Sequence, residues 1–131
     1  MSSERNPDSM ITKLSKTFIV KEKQTAIEMK SGDLAVLATP ALVAMLEETA
    51  KDSILELLTE GETTVGIEVN LKHVRPSRIS EEIQCEAELI EQTKNILRFT
   101  LKAFAGESII AEGTHQRAIV NSEKFMAKLA K

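Results

Sequence analysis

The sequence predicts an α+β fold in which one long helix is wrapped by an antiparallel β-sheet. Two observations predict it: an amphipathic helical pattern between Pro40 and Thr59, and four later segments with the composition of strands. A helix with one apolar stripe has to bury that stripe against another layer. The four consecutive strands, separated by short turns, are expected to form an antiparallel meander that supplies this layer.

Length and composition indicate one globular domain. The chain of 131 residues is long enough for a sizeable core. We expect a disordered leader at 1–15, which is polar and without periodicity, followed by a single domain at 16–131. The start lacks the apolar segment of a secretory signal, and the one cysteine, Cys85, cannot form an internal disulfide. These features predict a cytoplasmic protein.

Charge and residue types argue against several classes of partner. A net charge of −3 gives no basic footprint for nucleic acid or an anionic membrane. No apolar run approaches the roughly 20 residues that a membrane-spanning helix needs. The sequence also has no Cys/His cluster with the spacing of a metal site. We therefore expect no nucleic-acid partner, no membrane partner and no metal.

The segment ahead of the helix is expected to be extended. It runs from Lys16 to Glu28, and its inward-facing candidates are Phe18, Val20 and Ala26. Ser31-Gly32-Asp33 is typical of a turn, after which the chain leads into the helix.

The long helix has signals at both of its ends. Thr39 suits the N-cap, because its hydroxyl can accept a hydrogen bond from a free N–H of the first turn. Pro40 suits the first helical position, and Gly61 stands where a left-handed C-cap residue would be. At about 100° per residue, one side of the helix carries the apolar stripe, formed by Val43, Leu46, Ala50, Ile54 and Leu57.

One carboxylate of this helix departs from the charged face. Glu47 lies about 60° from the centre of the apolar stripe, whereas the other charges lie near the opposite side. A partly buried carboxylate needs partners, so the pattern predicts a role for Glu47 beyond packing. The alternative is a solvated pair with Lys51 at i+4, which stabilises a helix by roughly a few tenths of a kcal/mol.

The four later strands are predicted from alternation and from β-branched residues. They run from Thr64 to Leu71, from Ile83 to Ile90, from Leu97 to Ala103 and from Ile109 to Val120. Cys85 alternates with apolar residues, which predicts a small core side chain. A short helix from Ser122 is expected to close the chain.

Two histidines and one glycine are candidates for chemistry. His73 ends the first of these strands, where it can face a cleft and where its pKa suits a general base; a surface or structural histidine is the alternative. His115 lies in the middle of a strand, which favours a hydrogen-bonded structural role. Gly66 inside a strand indicates a bulge or a close approach of the backbone to a ligand, with a barrel-like bend as the alternative.

Taken together, these residues resemble a known family. The segments that carry the resemblance are Val36–Thr39, Leu42–Glu47, Gly61–Gly66, His73, Ala111–Arg117 and Glu123–Phe125. In this order they are similar to the hotdog-fold thioesterases related to fluoroacetyl-CoA thioesterase, over nearly the whole chain from Thr17 to Leu129. The resemblance implies a hotdog fold, which agrees with a helix wrapped by an antiparallel sheet.

The resemblance also implies a catalytic site and a reaction. The family's active-site threonine, glutamate and histidine match Thr39, Glu47 and His73, and its glycine, whose N–H faces the thioester carbonyl, matches Gly66. The implied reaction is hydrolysis of a small or medium acyl-CoA thioester to the acid and free coenzyme A, with no separate cofactor. A homodimer or higher homo-oligomer is also expected, with the active site at the subunit interface.

The substrate-binding residues follow the family only in part. The fluoroacetyl-specific member has an aromatic lid residue six positions before the threonine, and this chain has Asp33 there. Fluoroacetyl specificity is therefore not implied. Arg75 and Arg78, just past His73, are expected to bind the phosphates of coenzyme A; a solvated loop is the alternative.

Several routes and two rival functions stay open from the sequence. His73 would act as a base on water or on a hydroxyl, Glu47 would orient it or attack directly, and Thr39 would position water or attack. One rival is a hotdog dehydratase or hydratase, which needs an acid/base pair aimed at the β-carbon that no motif here supplies. The other is a non-catalytic acyl-CoA-binding module, which has no need of a buried glutamate.

Overall fold

The helices and strands follow the predicted class. The computed structural model describes residues 12–130 and contains five antiparallel strands with one long helix, so the α+β class is confirmed. Within this range no helix is long and apolar enough to cross a membrane. In chain order the elements are β1 (Lys13–Ile19), α1 (Ala26–Met29), α2 (Thr39–Ser53), β2 (Glu62–His73), β3 (Glu82–Thr93), β4 (Ile96–Ala105), β5 (Ser108–Asn121) and α3 (Ser122–Leu129).

The sheet has the order β1-β3-β4-β5-β2, which places β2 at one edge, paired antiparallel with β5. The predicted meander is confirmed for β3, β4 and β5, whose tight turns contain Lys94 and Gly106 with positive φ. It is wrong for β2, because the connection after β2 is not a hairpin. Arg78 in this connection forms an isolated bridge with Val36, which precedes α2. The bridge directs the chain past the start of the helix before it enters the sheet again.

The start of α2 differs from the prediction by one residue. The helix begins at Thr39, and Ala38 is its N-cap. Thr39 does not cap the helix, because its hydroxyl is hydrogen-bonded to His73 on β2. Pro40 consequently occupies the second helical position instead of the first.

The end of α2 comes earlier than predicted. The backbone leaves helical geometry at Ile54, whose side chain is buried in the core, and a 3₁₀ turn at Leu55–Leu57 follows. Gly61 has the predicted positive φ, 86°. It lies in the turn that leads into β2, where the N–H of Glu62 donates to the carbonyl of Thr59. The apolar pattern that continued to Leu57 therefore belongs to two helical pieces and not to one.

The first strand begins inside the segment expected to be a leader. Residues 13–15 belong to β1, which pairs antiparallel with β3 from Lys13↔Glu88 to Ile19↔Glu82. Leu14, Lys16 and Phe18 are half-buried on one face of this strand, and Lys16 bonds to the carboxylates of Glu48 and Asp52 on α2. The rest of the expected leader, 1–11, lies outside the described residues.

The extended segment predicted to reach Glu28 ends at Ile19. A 3₁₀ turn at Glu22–Gln24 and the short helix α1 follow it. The hydroxyl of Thr25 accepts a hydrogen bond from the N–H of Glu28 and caps α1, which explains why the chain turns there.

The core lies between α2 and the inner face of the sheet. α2 packs chiefly against β3 and β1 and buries Ala41, Leu42, Met45, Leu46 and Ala50. The alternation predicted for β3 and β4 is confirmed, since their buried side chains are Ile83, Cys85, Ala87, Leu89, Leu97, Phe99, Leu101 and Ala103. Cys85 is fully buried, as predicted.

Candidate active site

The first residue of α2 and the last residue of β2 meet. Thr39 Oγ1 lies 2.9 Å from His73 Nδ1, which is a hydrogen bond between two side chains. The first turn of the helix is also a source of donors, but the N–H groups of Ala41 and Leu42 already bond to the carbonyl of Ala38, so the N–H of Thr39 is the one left free among the described residues. Pro40 removes one of these donors.

His73 is held in a partly apolar environment. Burial lowers the pKa of this histidine, and a backbone contact with Arg75 acts in the opposite direction. The second ring nitrogen, Nε2, is buried and has no hydrogen-bond partner among residues 12–130. The ring therefore has one nitrogen committed to Thr39 and the other available.

A cleft of about 370 Å³ opens beside this pair. Its wall is mostly apolar and includes Ala26, Val36, Leu37, Ala38, Pro40, Val74 and Pro76 together with Thr39 and His73. Arg75 also lines the cleft, whereas Arg78 does not. The backbone N–H of Arg78 donates to the carboxylate of Glu81 at 3.1 Å, and its bridge with Val36 places it beside the cleft's outer wall.

Glu47 is half-buried, as its position on the helix predicted. Its side chain is 35% exposed, and its Oε2 lies 3.4 Å from Arg117 Nη1 and 3.8 Å from His115 Nε2. The alternative pair with Lys51 is not formed, because Lys51 bonds to Asp52. The partner of Glu47 therefore comes from β5 and not from its own helix.

Gly66 lies directly against the Glu47 carboxylate. A Cβ placed on residue 66 would clash with Glu47 Oε2 and would crowd Arg117 and His115. The pairing of β2 with β5 shifts register between Gly66 and Glu68, so the bulge predicted here is present. The absence of a side chain at residue 66 is what leaves room for the carboxylate.

Arg117 and His115 are the residues of this site that the sequence analysis did not assign to it. Arg117 is buried, with Nε donating to Thr64 Oγ1 at 2.8 Å and Nη2 donating to the Thr64 carbonyl at 3.1 Å. His115 is buried beside Phe99, and its Nδ1 lies 2.7 Å from the carbonyl oxygen of Glu68. The signal that could have found them is the period of two along β5, which places both on the same inward face as Ala111.

Burial changes the pKa values of two residues in this cluster, His115 and Arg117. Burial lowers the pKa of His115; the bond to the Glu68 carbonyl opposes this, Arg117 lowers it further, and Glu47 raises it. Burial also lowers the pKa of Arg117, with Glu47 acting in the opposite direction.

The four core residues of the predicted site thus form two groups within one protomer. Thr39 meets His73, and Glu47 meets Gly66. Thr39 and Glu47 are two helical turns apart, which is about 12 Å along the axis at 1.5 Å per residue. The protomer does not bring Glu47 into hydrogen-bond contact with His73; the bonds of Glu47 are to β5. The described residues also contain no group of three or more side chains suited to hold a metal.

Solved structures establish the fold class. A structure of the fluoroacetyl-CoA thioesterase FlK matches with a TM-score of 0.84 at 26% identity, covering 90% of this chain and 92% of that one. A thioesterase superfamily member from Thermus thermophilus matches with a TM-score of 0.83 at 21% identity, covering 90% and 88%. A hot-dog-like protein from Thermanaerovibrio acidaminovorans matches with a TM-score of 0.81 at 17% identity, covering 90% and 87%. The predicted hotdog fold is confirmed.

Sequence comparison gives the family within that fold. The family model for fluoroacetyl-CoA-specific thioesterases matches residues 20–123. The fluoroacetyl-CoA thioesterase of Streptantibioticus cattleyicolor is 29% identical over 94 residues, which are 72% of this chain and 68% of that protein. This chain belongs to the fluoroacetyl-CoA-specific thioesterase family, and it is a thioester hydrolase.

Proposed function

We propose that the protein hydrolyses a small or medium acyl-CoA thioester to the acid and free coenzyme A. The observation that carries the proposal is the hydrogen bond between Thr39 and His73 at the start of α2, beside a largely apolar cleft. A hydroxyl and an imidazole at a helix N-terminus supply a polar group, a base and a positive electrostatic end at one point. The cleft offers apolar surface for the acyl chain.

The thioester carbonyl is proposed to lie against the start of α2, where the N–H of Thr39 is the free donor of the first turn. Negative charge develops on the carbonyl oxygen when a nucleophile attacks, and fixed donors that point at this charge lower the barrier. The proposed second donor is the N–H of Gly66 of the partner subunit, because within one protomer Gly66 lies beside Glu47 and not beside Thr39. Because Pro40 has no N–H, and because the N–H groups of Ala41 and Leu42 bond to the Ala38 carbonyl, the donor from the helix is the N–H of Thr39.

His73 is the proposed base, and the Thr39 hydrogen bond allows two routes. If the Thr39 hydroxyl donates to Nδ1, His73 takes that proton and Thr39 attacks the carbonyl. If Nδ1–H donates to Thr39, the free Nε2 takes a proton from water, and the water attacks. In either route the carbon–sulfur bond breaks, and the proton held by His73 goes to the sulfur of coenzyme A. When Thr39 is the nucleophile, the acyl group remains on it as an ester; a water that gives its proton to His73 then attacks this ester, the acid is released, and the proton returns to the Thr39 oxygen.

Glu47 is the proposed third catalytic residue, and its distance from Thr39 along α2 supports a site shared between two subunits. In a homodimer, the Thr39–His73 pair of one protomer would act together with Glu47 of the partner subunit. There Glu47 would orient His73, or it would attack the carbonyl and expel the thiolate of coenzyme A, forming an anhydride that water then hydrolyses to the acid and free Glu47. This arrangement explains why Glu47 bonds to β5 and not to His73 within its own protomer.

The edge strand β2 supports the same homodimer. Among residues 12–130, β2 pairs only with β5, so its other side has free backbone donors and acceptors. Ile67 and Val69 are exposed in the middle of this edge, at 52% and 36%. Pairing of β2 with the β2 of a second copy about a two-fold axis would satisfy both features.

Arg75 and Arg78 are proposed to bind the phosphates of coenzyme A. Arg75 lines the cleft beside His73, and both guanidinium groups are on the loop that follows β2. Guanidinium groups bind phosphate through charge and paired hydrogen bonds. The cytoplasmic location stays a prediction.

Thiol release from a panel of short, medium and aromatic acyl-CoA thioesters tests the proposal. We expect turnover by the wild type, and a loss of kcat of at least about 100-fold in Glu47→Gln and in His73→Ala, the size of a general acid–base contribution. Glu48→Gln is the matched control, because it makes the same change one residue along α2 at an exposed side chain that bonds to Lys16. Wild-type rates in Glu47→Gln and His73→Ala would remove the proposed site.

The same panel separates the enzyme from a binding module. Acyl-CoA affinity without turnover by the wild type would favour the non-catalytic acyl-CoA-binding function and would contradict the proposal. The oligomeric state is measured in parallel: a monomer at assay concentrations that retains full activity would contradict the shared site.

A further inference from the structure

The two hydrogen bonds of His115 are compatible with only one protonation state. The carbonyl oxygen of Glu68 only accepts, so Nδ1 of His115, at 2.7 Å, has to carry the ring proton. Arg117 Nη1 only donates, so Nε2 of His115, at 3.2 Å, has to offer a lone pair. The ring is therefore neutral, with its proton on Nδ1.

The guanidinium of Arg117 is hydrogen-bonded to two buried residues, Thr64 and His115. Thr64 accepts from Nε through its hydroxyl and from Nη2 through its carbonyl. His115 accepts from Nη1, which is also the nitrogen closest to Glu47. Arg117 is only 6% exposed, so little of it is open to competition from solvent. The direction of Nη1 is set by Thr64 and His115 together.

The Glu47 carboxylate lies beside Nη1 of this guanidinium. Its Oε2 is 3.4 Å from Arg117 Nη1, and the bare backbone of Gly66 leaves room beside both groups. His115 Nε2 is 3.8 Å from the same oxygen, a distance at which it does not hydrogen-bond to it. The hydrogen-bonded route from His115 to Glu47 therefore runs through Arg117.

We propose that His115 is a positioning residue: through the lone pair on Nε2 it orients Arg117, and Arg117 in turn sets the place of the Glu47 carboxylate. The proposal rests on the proposed function, because it treats Glu47 as a reacting group. It assigns to His115 a part in the reaction without contact to the substrate. Protonation of Nε2 would replace the acceptor by a donor facing the guanidinium, so the arrangement requires the neutral ring.

Two substitutions, each of which replaces one of the two ring nitrogens of His115, distinguish the positioning role from a structural one. His115→Asn retains an N–H near the position of Nδ1 for the Glu68 carbonyl but has no acceptor for Arg117. His115→Gln reaches the position of Nε2 with an amide oxygen that can accept from Arg117. We expect kcat to fall about 10-fold to 100-fold in His115→Asn and less in His115→Gln, because misplacing a reacting group by about 1 Å costs on the order of 100-fold. A structural role through Glu68 predicts the reverse order.

Coupling to Arg117 is the second readout. If His115 acts only through Arg117, adding His115→Asn to Arg117→Met should change kcat by no more than about 2-fold, since the two changes remove one interaction. Additive losses would overturn the proposal. Thr114→Ala is the control, because Thr114 is the exposed neighbour on β5 and should keep the wild-type kcat and KM. Circular dichroism confirms that each variant is folded.

NMR of the full-length protein gives a readout that does not depend on turnover. We expect the ¹⁵N shifts of the His115 ring to show a protonated Nδ1 and an unprotonated Nε2, and the ¹³C shift of the Glu47 carboxyl to change in His115→Asn. A proton on Nε2, or an unchanged Glu47 shift, would overturn the positioning role. If the wild type hydrolyses no thioester, the proposed function fails, and these shifts alone decide whether His115 positions Glu47.

Discussion

The two polar groups on α2 differ in how firmly the protein holds them. At the start of the helix, Thr39 and His73 share a single hydrogen bond, Thr39 is exposed, and one ring nitrogen has no partner among the described residues. Two turns further, Glu47 faces the guanidinium of Arg117, which is itself hydrogen-bonded to two buried residues, Thr64 and His115. The carboxylate also lies against Gly66, where any side chain would clash with it. We call the Thr39–His73 pair the open group, and Glu47 with Arg117 and Gly66 the fixed group.

This difference indicates how the site divides its work. A pair that has to take a proton and release it needs a free nitrogen and access to substrate. A carboxylate that has to act at one place benefits from a position fixed before the substrate arrives, because no reorganisation is then needed during the reaction. The helix supplies both because residues separated by whole turns share a face but reach different parts of the sheet.

Gly66→Ala should give the largest effect, because it disturbs the fixed group directly. The new Cβ would push aside the end of the flexible Glu47 side chain and leave the backbone in place. We expect kcat to fall at least about 100-fold, with little change in the melting temperature. The measurement is steady-state thiol release together with thermal unfolding.

Gly113→Ala is the matched control for that prediction. Its Cβ would meet the backbone of Asn70 and Leu71 across the β2–β5 ladder, where nothing can rotate away. We expect a loss of stability of at least about 1 kcal/mol, in contrast to Gly66→Ala. Equal stability losses in the two variants would show that Gly66 is also required by the fold and would contradict the distinction.

Thr39→Val should produce a smaller loss of kcat. It removes the hydrogen bond of the open group and keeps the shape of the side chain at residue 39. The variant removes the hydroxyl that bonds to His73, and we expect kcat to fall about 10-fold to 100-fold. Thr39→Ser restores the hydroxyl and should recover most of the rate. If Val and Ser behave alike, the hydroxyl is not the feature that matters.

The pH dependence of kcat/KM should report the open group. A base has to be neutral, so activity is present above the pKa of His73 and is lost as the pH falls through it, about 10-fold per unit. Burial lowers this pKa from the model-peptide value of 6.5, so the acid midpoint should lie below 6.5. A midpoint above 6.5 in a profile from about pH 5 to about pH 8 would contradict His73 as the base.

The free energy of unfolding should be measured over the same pH range, and the direction in which it changes with pH can also be predicted. His73 and His115 both have a lowered pKa in the folded protein. Below 6.5 the unfolded chain therefore binds more protons than the folded one, and the free energy of unfolding should decrease as the pH falls. Thermal unfolding at each pH distinguishes this loss from protonation of the base.

Arg75→Ala should have the smallest effect on catalysis, and this effect should be a change in KM. An exposed pair with a phosphate is worth up to about 1 kcal/mol, so we expect KM to rise by up to about 5-fold with kcat unchanged. Arg98→Ala is the control, because Arg98 is an exposed arginine on β4 that bonds to Glu91. A change in kcat would place Arg75 in the chemistry and not in binding.

The parts of the fold that the sequence predicted are those with a local period. The inward faces of β3 and β4, the burial of Cys85 and the unusual place of Glu47 on its helix all follow from counting residues around a helix or along a strand. The bulge at Gly66 and the strand end at His73 follow from single residues of special conformation or position. These features need no knowledge of distant contacts.

What sequence could not supply was pairing across long separations. β2 pairs with β5 and not with the next strand in the sequence, and the connection after β2 instead forms a bridge between Arg78 and Val36. The local sequence predicts Thr39 as a helix cap, because a threonine hydroxyl can accept from the first turn of the helix that follows it. In the structure this hydroxyl is hydrogen-bonded to His73, a residue of another element. Arg117 as partner of Glu47 is 70 positions away and has no local signal.

The buried Cys85 has a practical consequence for any assay of this protein. It is the one thiol of the chain, it is enclosed by the sheet and α2, and burial raises its pKa to about 12. Thiol reagents react with the thiolate, so the folded protein should add no background when coenzyme A is titrated with such a reagent. The same reagent should then detect one further equivalent per chain upon denaturation, which makes Cys85 an internal counter of unfolded molecules in every reaction mixture.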